Sequence, residues 1–378
     1  MRSTQVHIDL DALEWNFSCV KRRAAGKHVL GLVKANAYGH GMVPIAKALQ
    51  SLGIDMLGTA IADEAVELRN NGVSTDMIIL TPVEAHEVQQ VARNGFHAVA
   101  CAVEQIEALS QAAVSESSTV PVHLYIDTGM LREGFRVHEA VEAAKQLTTM
   151  PGIELVGVCT HFATADDPAS PFLQNQLEQF KVALDLLDQS GFQFQYVHAA
   201  NSGALWMDIS THFTMVRTGL SLFGYAVGAE TDPALRPVLS VRSAINSIRT
   251  AFPGDSVSYG QRFTATEQCT IATVPIGYGD GYLRGLTGIG QCIIGGKRYP
   301  IVGSICMDEL MVNLGQDPCS IGQEVVLLGS QLGTDGCFDA IDAIELAAMA
   351  RTIPYEIITA FSARVPRVYH GRLLSVLA

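Results

Sequence analysis

Five short segments of the chain carry side chains that could bind a phosphate group and react with a carbonyl compound. Residues 33–41 read VKANAYGHG and contain Lys34, and the other segments contain Arg132, His161, Ser202 and Arg217. A lysine among apolar residues has a lowered pKa and becomes nucleophilic, which suits Schiff-base chemistry. Arginine, serine and glycine are suited to binding phosphate. The set therefore favours a phosphorylated aldehyde cofactor or a phosphorylated sugar as ligand.

The elements that must position these residues alternate regularly over the first 220 residues. Strand-sized apolar runs occur at Val29–Val33, Leu57–Ile61, Met77–Leu80, Phe96–Ala100, Val122–Ile126, Leu155–Cys159, Tyr196–Ala199 and Phe213–Val216. Stretches at helical spacing lie between them, at Val43–Leu52, Ala62–Asn71, Val83–Asn94, Val103–Ala113, Val137–Thr148, Asn175–Ser190 and Ala204–Ile209. This alternation predicts an α/β fold, a TIM-type (β/α)8 barrel over residues 1–235.

Active sites of such barrels lie at the carboxyl ends of the strands. Lys34 follows the first predicted strand, Arg132 the fifth and His161 the sixth, while Ser202 follows the seventh. Arg217, Gly219 and Leu220 end or follow the eighth. We therefore expect these residues to converge. Each also has a structural alternative: Lys34 as an ion-pair partner across the mouth, Arg132 as a loop cap, His161 as a satisfied barrel histidine and Ser202 as a helix N-cap.

After Pro237 the pattern changes to short β-type runs, at Val238–Ile248, Cys269–Val274, Gln291–Ile294, Arg298–Val302, Met311–Leu314 and Glu324–Leu328, with one helical pattern at Ile341–Arg351. Residues 236–378 are thus predicted to form a mostly β C-terminal domain. The first strand residues of the chain are expected to be able to pack with it.

Composition excludes several classes of function. The net charge of −13 disfavours nucleic acid and anionic membranes as partners. The eight cysteines are scattered and no tight His/Cys cluster occurs, so no metal site is expected. The chain shows no secretory signal and no apolar stretch of membrane-spanning length, which predicts a cytoplasmic protein.

The motifs taken together resemble those of the alanine racemases, pyridoxal-phosphate (PLP) enzymes built from a barrel and a β domain. The resemblance covers essentially the whole chain, and its most specific motif is VKANAYGHG at 33–41. Further matches are DTGMLR at 127–132, THFA at 160–163, ANSG at 200–203, RTGLSLFG at 217–224, VSYG at 257–260, GYGDGYLR at 277–284, CMD at 306–308 and IPYE at 353–356.

This resemblance implies a role for each matching residue. Lys34 would hold PLP covalently and act as one acid/base, and Tyr259 would be the other, reaching the substrate's opposite face from the partner subunit of a homodimer with shared sites. The residues that match the family's phosphate-binding positions are Tyr38, Ser202, Gly219, Leu220 and Tyr355. Arg217 would face the pyridine nitrogen with His161 beside it, and Arg132 would lie beside the ring hydroxyl and the substrate. Met307 would help to bind the substrate carboxylate, and Tyr278 and Arg284 match the entrance to the site.

The chain departs from the family pattern at three positions. Tyr125 stands where many members carry a lysine modified to a carbamate, so another group must orient Arg132; Glu133 is a candidate, and a solvated loop carboxylate is the alternative reading. Ser304 replaces a common arginine, and Thr218 replaces the usual proline after Arg217.

Three alternative functions remain. A racemase of serine or another small amino acid would use the same site. A basic amino-acid decarboxylase would need a cysteine where this chain has Tyr259. A non-catalytic PLP-binding protein resembles the barrel alone and lacks the second domain.

Overall fold

The computed structural model describes residues 2–226, 228 and 234–377, which divide into two compact units. The barrel unit comprises Ala12–Ala37 and Met42–Arg236, with the last residues from Val376. The sheet unit comprises the residues up to Asp11, Tyr38–Gly41 and Pro237–Ser375. The chain therefore contributes to the sheet unit before, within and after the barrel.

Eight parallel strands form a closed sheet in the barrel unit, because the first strand pairs with the eighth and the fourth pairs with the fifth. The TIM-type barrel predicted from the sequence is confirmed. The strands are His28–Leu32, Met56–Thr59, Met77–Ile79, His97–Ala100, Val120–Asp127, Ile153–Cys159, Tyr196–His198 and Met215–Thr218. A two-residue strand, Phe135–Arg136, extends the sheet beside the fifth barrel strand.

Helices follow the strands at the predicted places. They are Met42–Ser51, Ala62–Asn70, Val88–Asn94, Val103–Ser115, Ala140–Thr148, Phe172–Gln189 and Ser202–Met207, with 3-10 turns at Val137–Glu139 and Ile209–Thr211. The helix predicted from Val83 begins only at Val88, where the Glu87 carboxylate accepts hydrogen bonds from the backbone of Ala62 and Glu84. The fifteen-residue helix Leu10–Ala24 was not predicted.

The barrel interior contains an apolar layer to which seven strands contribute one residue each: Leu30, Met56, Ile78, Val99, Tyr125, Cys159 and Met215. Side chains two residues apart along a strand lie on the same face. Arg217 stands two residues after the layer member Met215 in the same strand, so its side chain turns toward the barrel axis, and Lys34 and His161 each lie two residues beyond the last residue of their strands. His97 and His123 each precede a layer member by two residues.

A left-handed turn follows Lys34. The φ angles of Ala35, Asn36, Ala37 and Tyr38 lie between 51° and 55°, and Gly39 continues at 84°. For L-residues this conformation costs roughly 1–2 kcal/mol per residue. The Asn36 side chain accepts a hydrogen bond from the Met42 backbone N–H at 2.9 Å, which links the turn to the following helix.

The sheet unit contains a ten-stranded sheet and two short helices. Its strands are Gln5–Asp9, Leu239–Ala244, Ser247–Ala251, Cys269–Val274, Gln291–Ile294, Lys297–Val302, Leu310–Gly315, Glu324–Leu332, Phe338–Ile341 and Arg367–His370, and its helices are Ala343–Ala350 and Pro354–Thr359. The predicted mostly β character of the C-terminal domain is confirmed. The run predicted as one strand, Val238–Ile248, forms two strands that lie apart in the sheet order. The strand Gln5–Asp9 pairs antiparallel with Leu239–Ala244 and parallel with Arg367–His370.

Within the described part of the chain, none of the helices combines the length and apolar character needed to cross a bilayer. The same residues contain no group of three or more His, Cys, Asp or Glu side chains arranged to hold a metal ion.

Three histidines form a row of ring-to-ring contacts inside the barrel. His97 Nδ1 lies 3.0 Å from His123 Nε2, and His123 Nδ1 lies 2.9 Å from His198 Nε2. Burial lowers the pKa of all three, and it lowers the pKa of His123 and His198 far below the ordinary value. The barrel interior therefore holds these imidazoles uncharged at neutral pH.

We predict that acid destabilises the ligand-free protein. These histidines have folded-state pKa values below the unfolded value, so the unfolded chain binds more protons. Stability is fully present above about pH 6.5 and falls below it, by up to about 1.4 kcal/mol per pH unit for each histidine. Unfolding curves between about pH 7.5 and pH 5.5 measure this loss. The slope should become shallower in H123Q and stay unchanged in the exposed control H138Q; equal stability at both ends contradicts the prediction.

We also predict that Gly39 tolerates no side chain. A Cβ at Gly39 would lie 2.2 Å from the carbonyl oxygen of Ile358, whereas a Cβ at Gly53, which also has a positive φ, would meet open space. G39A should lower the free energy of unfolding by at least about 1 kcal/mol more than G53A, because the clash adds to a shared conformational penalty. Denaturant unfolding of both variants compares them, and equal losses would show that the close approach is harmless.

Candidate active site

Lys34 lies at the carboxyl end of the first barrel strand with an unpaired amine. Within the part of the chain that the structure describes, Nζ makes no hydrogen bond or ion pair. The nearby carboxylate of Glu64 is occupied by the backbone N–H groups of Ala35 and Ala60, at 2.7 and 2.8 Å. Burial lowers the pKa of Lys34, and the charges of Arg132 and Arg217 lower it further. The structural alternative of an ion pair across the mouth is not observed.

Arg132 is held by two neighbours that the sequence singled out. Its Nε donates to Glu133 Oε1 at 3.1 Å, and its Nη2 lies 3.0 Å from the same oxygen. Nη2 also donates to the hydroxyl of Tyr125 at 3.3 Å. The Glu133 side chain is only 13% exposed, so it is not a solvated loop carboxylate. Burial raises the pKa of Tyr125, which keeps the phenol protonated and able to act as donor or acceptor.

Arg217 is buried at the end of the eighth strand and donates to five acceptors. Its Nη1 donates to His198 Nδ1 and to the His198 carbonyl, both at 3.0 Å. Its Nη2 donates to the carbonyls of Thr160 and Ala199 and to His161 Nδ1, at 2.9, 3.1 and 2.9 Å. Burial and then the charge of Arg217 hold the pKa of His161 well below its usual range. His161 is therefore a neutral imidazole whose Nε2 carries the hydrogen.

Ser202 and Gly219 meet after the seventh and eighth strands. Gly219 N–H donates to Ser202 Oγ at 3.1 Å, which leaves the hydroxyl hydrogen of Ser202 available to an anion. Asn201, not Ser202, caps the helix Ser202–Met207, because its side chain accepts from the Ala204 backbone at 3.1 Å. Leu220 is buried directly after Gly219.

These barrel residues fit the group that the resemblance implies. An unpaired amine with a lowered pKa suits attachment of an aldehyde. The free hydroxyl donor of Ser202 suits a phosphate ester, and Arg132 suits an anionic substrate. Two cysteines near the mouth offer no competing nucleophile: burial raises the pKa of Cys101 and raises that of Cys159 to about 12.

In the sheet unit the structure brings Tyr38 and Tyr355 together. Their ring centroids lie 5.9 Å apart at an interplanar angle of 44°. Tyr38 is buried and Tyr355 half-buried. Two predicted phosphate-binding residues 317 positions apart in sequence (355 − 38) are thus neighbours.

Tyr259 projects from the sheet unit and is 75% exposed. Its turn is held by reciprocal bonds with the buried Ser304: Ser304 Oγ donates to the Tyr259 carbonyl at 2.7 Å, and Ser258 Oγ donates to the Ser304 carbonyl at 2.7 Å. Ser304, one of the departures from the family pattern, thus shapes the turn that carries Tyr259.

Met307 and Tyr278 lie on adjoining segments of the sheet unit. Gly279 N–H donates to the Met307 carbonyl at 2.9 Å, and Tyr278 N–H donates to the Cys306 carbonyl at 3.0 Å. Both side chains are exposed, by 52% and 41% respectively. Arg284 is exposed at the start of the 3-10 helix Arg284–Leu286.

Sequence reasoning missed the three histidines that lead to Arg217. His97, His123 and His198 follow no strand end in a motif, so a search confined to strand ends overlooks them. Alternation could have found them, because His97 and His123 share the inward face of their strands with Val99 and Tyr125.

Two family models together match most of the chain: "Alanine racemase, N-terminal domain" over residues 8–227 and "Alanine racemase, C-terminal domain" over residues 238–369. An alanine racemase of Symbiobacterium thermophilum is 38% identical, covering 98% of each chain. A solved alanine racemase structure from Clostridium difficile 630 is 33% identical with a TM-score of 0.91, covering 98% of this chain and 96% of that one. The structure of the Bacillus anthracis alanine racemase with bound L-Ala-P is 35% identical with a TM-score of 0.90, at the same coverage.

Full-length identity above 30%, matching models for both domains and near-complete structural overlap agree with the motifs found in the sequence. The chain belongs to the alanine racemase family, and thereby to the amino-acid racemases that use PLP.

Proposed function

We propose that this chain interconverts L- and D-alanine by a two-base mechanism, with Lys34 as one base and Tyr259 of the partner subunit as the other. The observation that carries the proposal is the unpaired amine of Lys34 at the barrel mouth, whose pKa is lowered by burial and by Arg132 and Arg217. An amine whose pKa is lowered gives up its proton more readily than a solvent-exposed lysine does, which suits a group that must take up and return a proton.

PLP, when bound, supplies an electron sink that makes the Cα–H of an attached amino acid acidic. Lys34 would attach it, and Arg217 would face its pyridine nitrogen. Arg132 would lie beside its ring hydroxyl and assist the substrate carboxylate, which Met307 would also help to seat. The residues assigned to the phosphate are Tyr38, Ser202, Gly219, Leu220 and Tyr355, and those assigned to the entrance are Tyr278 and Arg284.

A racemase must remove a proton from one face of Cα and return one to the other face. One base on each face does this without turning the substrate, so two different side chains are needed. Lys34 serves one face. The neutral His161 can donate its Nε2 hydrogen to the oxygen of a tyrosine on the other face.

The exposure of Tyr259 supports a homodimer in which each site is completed by the other subunit. A catalytic tyrosine that is 75% exposed in its own chain has room to enter a second copy. The shared site gives the dimer an isologous interface, because each subunit lends the same residue to its partner.

We predict that the purified protein with PLP converts L-alanine into an equal mixture of L- and D-alanine, and that K34A and Y259F each abolish this. When the two variants are unfolded and refolded together, about a quarter of the wild-type activity should return, because half of the dimers are mixed and half of their sites are intact. Chiral chromatography of the product measures it.

K145A, which removes an exposed lysine, is the control and should keep full activity. If both bases came from one chain, every site in a mixed dimer would lack one of them and no activity would return. D-serine formation without D-alanine would replace the substrate assignment with that of another small amino acid.

We further predict that Glu133 and Tyr125 restrain Arg132 for substrate binding. E133Q removes the charged acceptor of two Arg132 donors, so the KM for alanine should rise about three- to tenfold while kcat changes less. Y125F should have a smaller effect in the same direction. Initial rates over a range of alanine concentrations separate the two constants.

The control is E139Q, the same substitution six residues further along in the 3-10 turn Val137–Glu139, since Glu139 binds the Arg136 backbone rather than Arg132. An unchanged KM in E133Q would show that Arg132 needs no restraint from this carboxylate.

A further inference from the structure

A continuous row of hydrogen bonds runs through the barrel interior from His97 to Arg217. It consists of His97 Nδ1 to His123 Nε2 at 3.0 Å, His123 Nδ1 to His198 Nε2 at 2.9 Å, and His198 Nδ1 to Arg217 Nη1 at 3.0 Å. All four residues are buried, and His123 and His198 are completely inaccessible. We call these three imidazoles the histidine row.

The chemistry of arginine fixes every proton in this row. A guanidinium has only donors, so His198 Nδ1 must accept, and His198 is therefore neutral with its hydrogen on Nε2. That hydrogen is donated to His123 Nδ1, which makes His123 neutral in the same tautomer. His123 Nε2 then donates to His97 Nδ1. The direction of all three bonds follows from one charged residue at the end.

The same argument covers His161, whose Nδ1 accepts from Arg217 Nη2. The pKa values of all four histidines are lowered, with burial as the first cause, in agreement with neutral rings. A proton added anywhere in the row would place two donors against each other.

The row also decides which donor Arg217 keeps free. Nη1 and Nη2 are used by His198, Thr160, Ala199 and His161. Nε–H is the one guanidinium donor without a hydrogen-bond partner among the residues that the structure describes. Any rotation that freed an Nη hydrogen instead would break a buried bond.

Packing alone does not explain these imidazoles. Interior layers of such barrels are usually filled by Val, Ile and Leu, and the neighbouring layer here is apolar. Burying polar rings gives no advantage over aliphatic side chains unless every polar atom is bonded. His123 and His198 have both ring nitrogens hydrogen-bonded, and the row ends on a functional arginine, which indicates a role in orienting that arginine.

We propose that His97, His123 and His198 are positioning residues that lock Arg217 with Nε–H turned to the ligand and hold His161 as an Nε2–H donor. This rests on the proposed function, because the partner of Nε–H would be the pyridine nitrogen of PLP. His97, at the amino end of the fourth strand, thus acts on the site through two intervening rings.

The first test is independent of catalysis. Nitrogen-15 NMR of the ligand-free protein, labelled at histidine, reports which ring nitrogen carries hydrogen. We expect the Nε2–H tautomer for His97, His123, His161 and His198, and no change in their charge as the pH falls toward the acid limit of the fold. An Nδ1–H tautomer or a charged ring at His123 or His198 would overturn the proposal.

The second test uses the holoenzyme. H123F breaks both bonds of the central ring, so kcat should fall about tenfold and the pH dependence of the visible PLP absorption should shift. H123Q keeps one acceptor and one donor and should restore most of both. The control is H212F, because His212 is equally buried but its ring bonds to the Leu205 carbonyl.

If H123F behaves like H212F in kcat and in its absorption profile, the row does not position Arg217. If H123F does not fold, H97F makes the same comparison at the end of the row. A wild-type protein with the expected tautomers but no racemase activity would refute the proposed function, while the positioning of Arg217 by the histidine row would stand. An active enzyme with other tautomers would refute only that positioning.

Discussion

Arg217 carries its charge inside the barrel, and each N–H group of a buried guanidinium needs an acceptor. All five of its acceptors are backbone carbonyls or imidazole nitrogens at the ends of the sixth and seventh strands, so the ends of three strands are tied together at one residue. The other consequences follow from the same charge. It adds to burial in lowering the pKa of Lys34 and of His161, and it sets the direction of the histidine row. The barrel mouth is organised by satisfying this one cation.

The strand positions and the strand-end residues could be predicted because both depend on local sequence. Apolar runs located the eight barrel strands to within a few residues, and the prediction of a PLP-dependent racemase is confirmed by the family. The left-handed turn after Lys34 could not be predicted, since no propensity favours four such residues in succession. The histidine row could not be predicted either, because its contacts depend on which strands are neighbours in the barrel. The helix Leu10–Ala24 was not predicted because it precedes the first barrel strand and so lies outside the alternation of strands and helices.

Two departures from the family pattern, Tyr125 and Ser304, are explained by local contacts, whereas Thr218 has no structural explanation. Tyr125 and Glu133 both bond Arg132, so a phenol and a neighbouring carboxylate occupy the surroundings of that arginine. Ser304 is buried and bonded to the turn of Tyr259, where a longer side chain would have to leave the space that its hydroxyl fills. Glu133 was a candidate from the sequence because it adjoins Arg132, whereas the link from Ser304 to Tyr259 crosses 45 residues and has no sequence signal.

The left-handed turn gives the segment VKANAYGHG a meaning separate from catalysis. Small alanines and an asparagine occupy positions where β-branched side chains are unsuitable, and Gly39 and Gly41 lie where a Cβ would collide with Ile358 and Tyr369. Most residues of this segment are thus required by backbone stereochemistry, and Lys34 is the residue that the proposed reaction requires. A relative that had lost its activity would still need the small residues and glycines of this turn for as long as it kept its backbone, so a match to this segment identifies a shape before it identifies an enzyme.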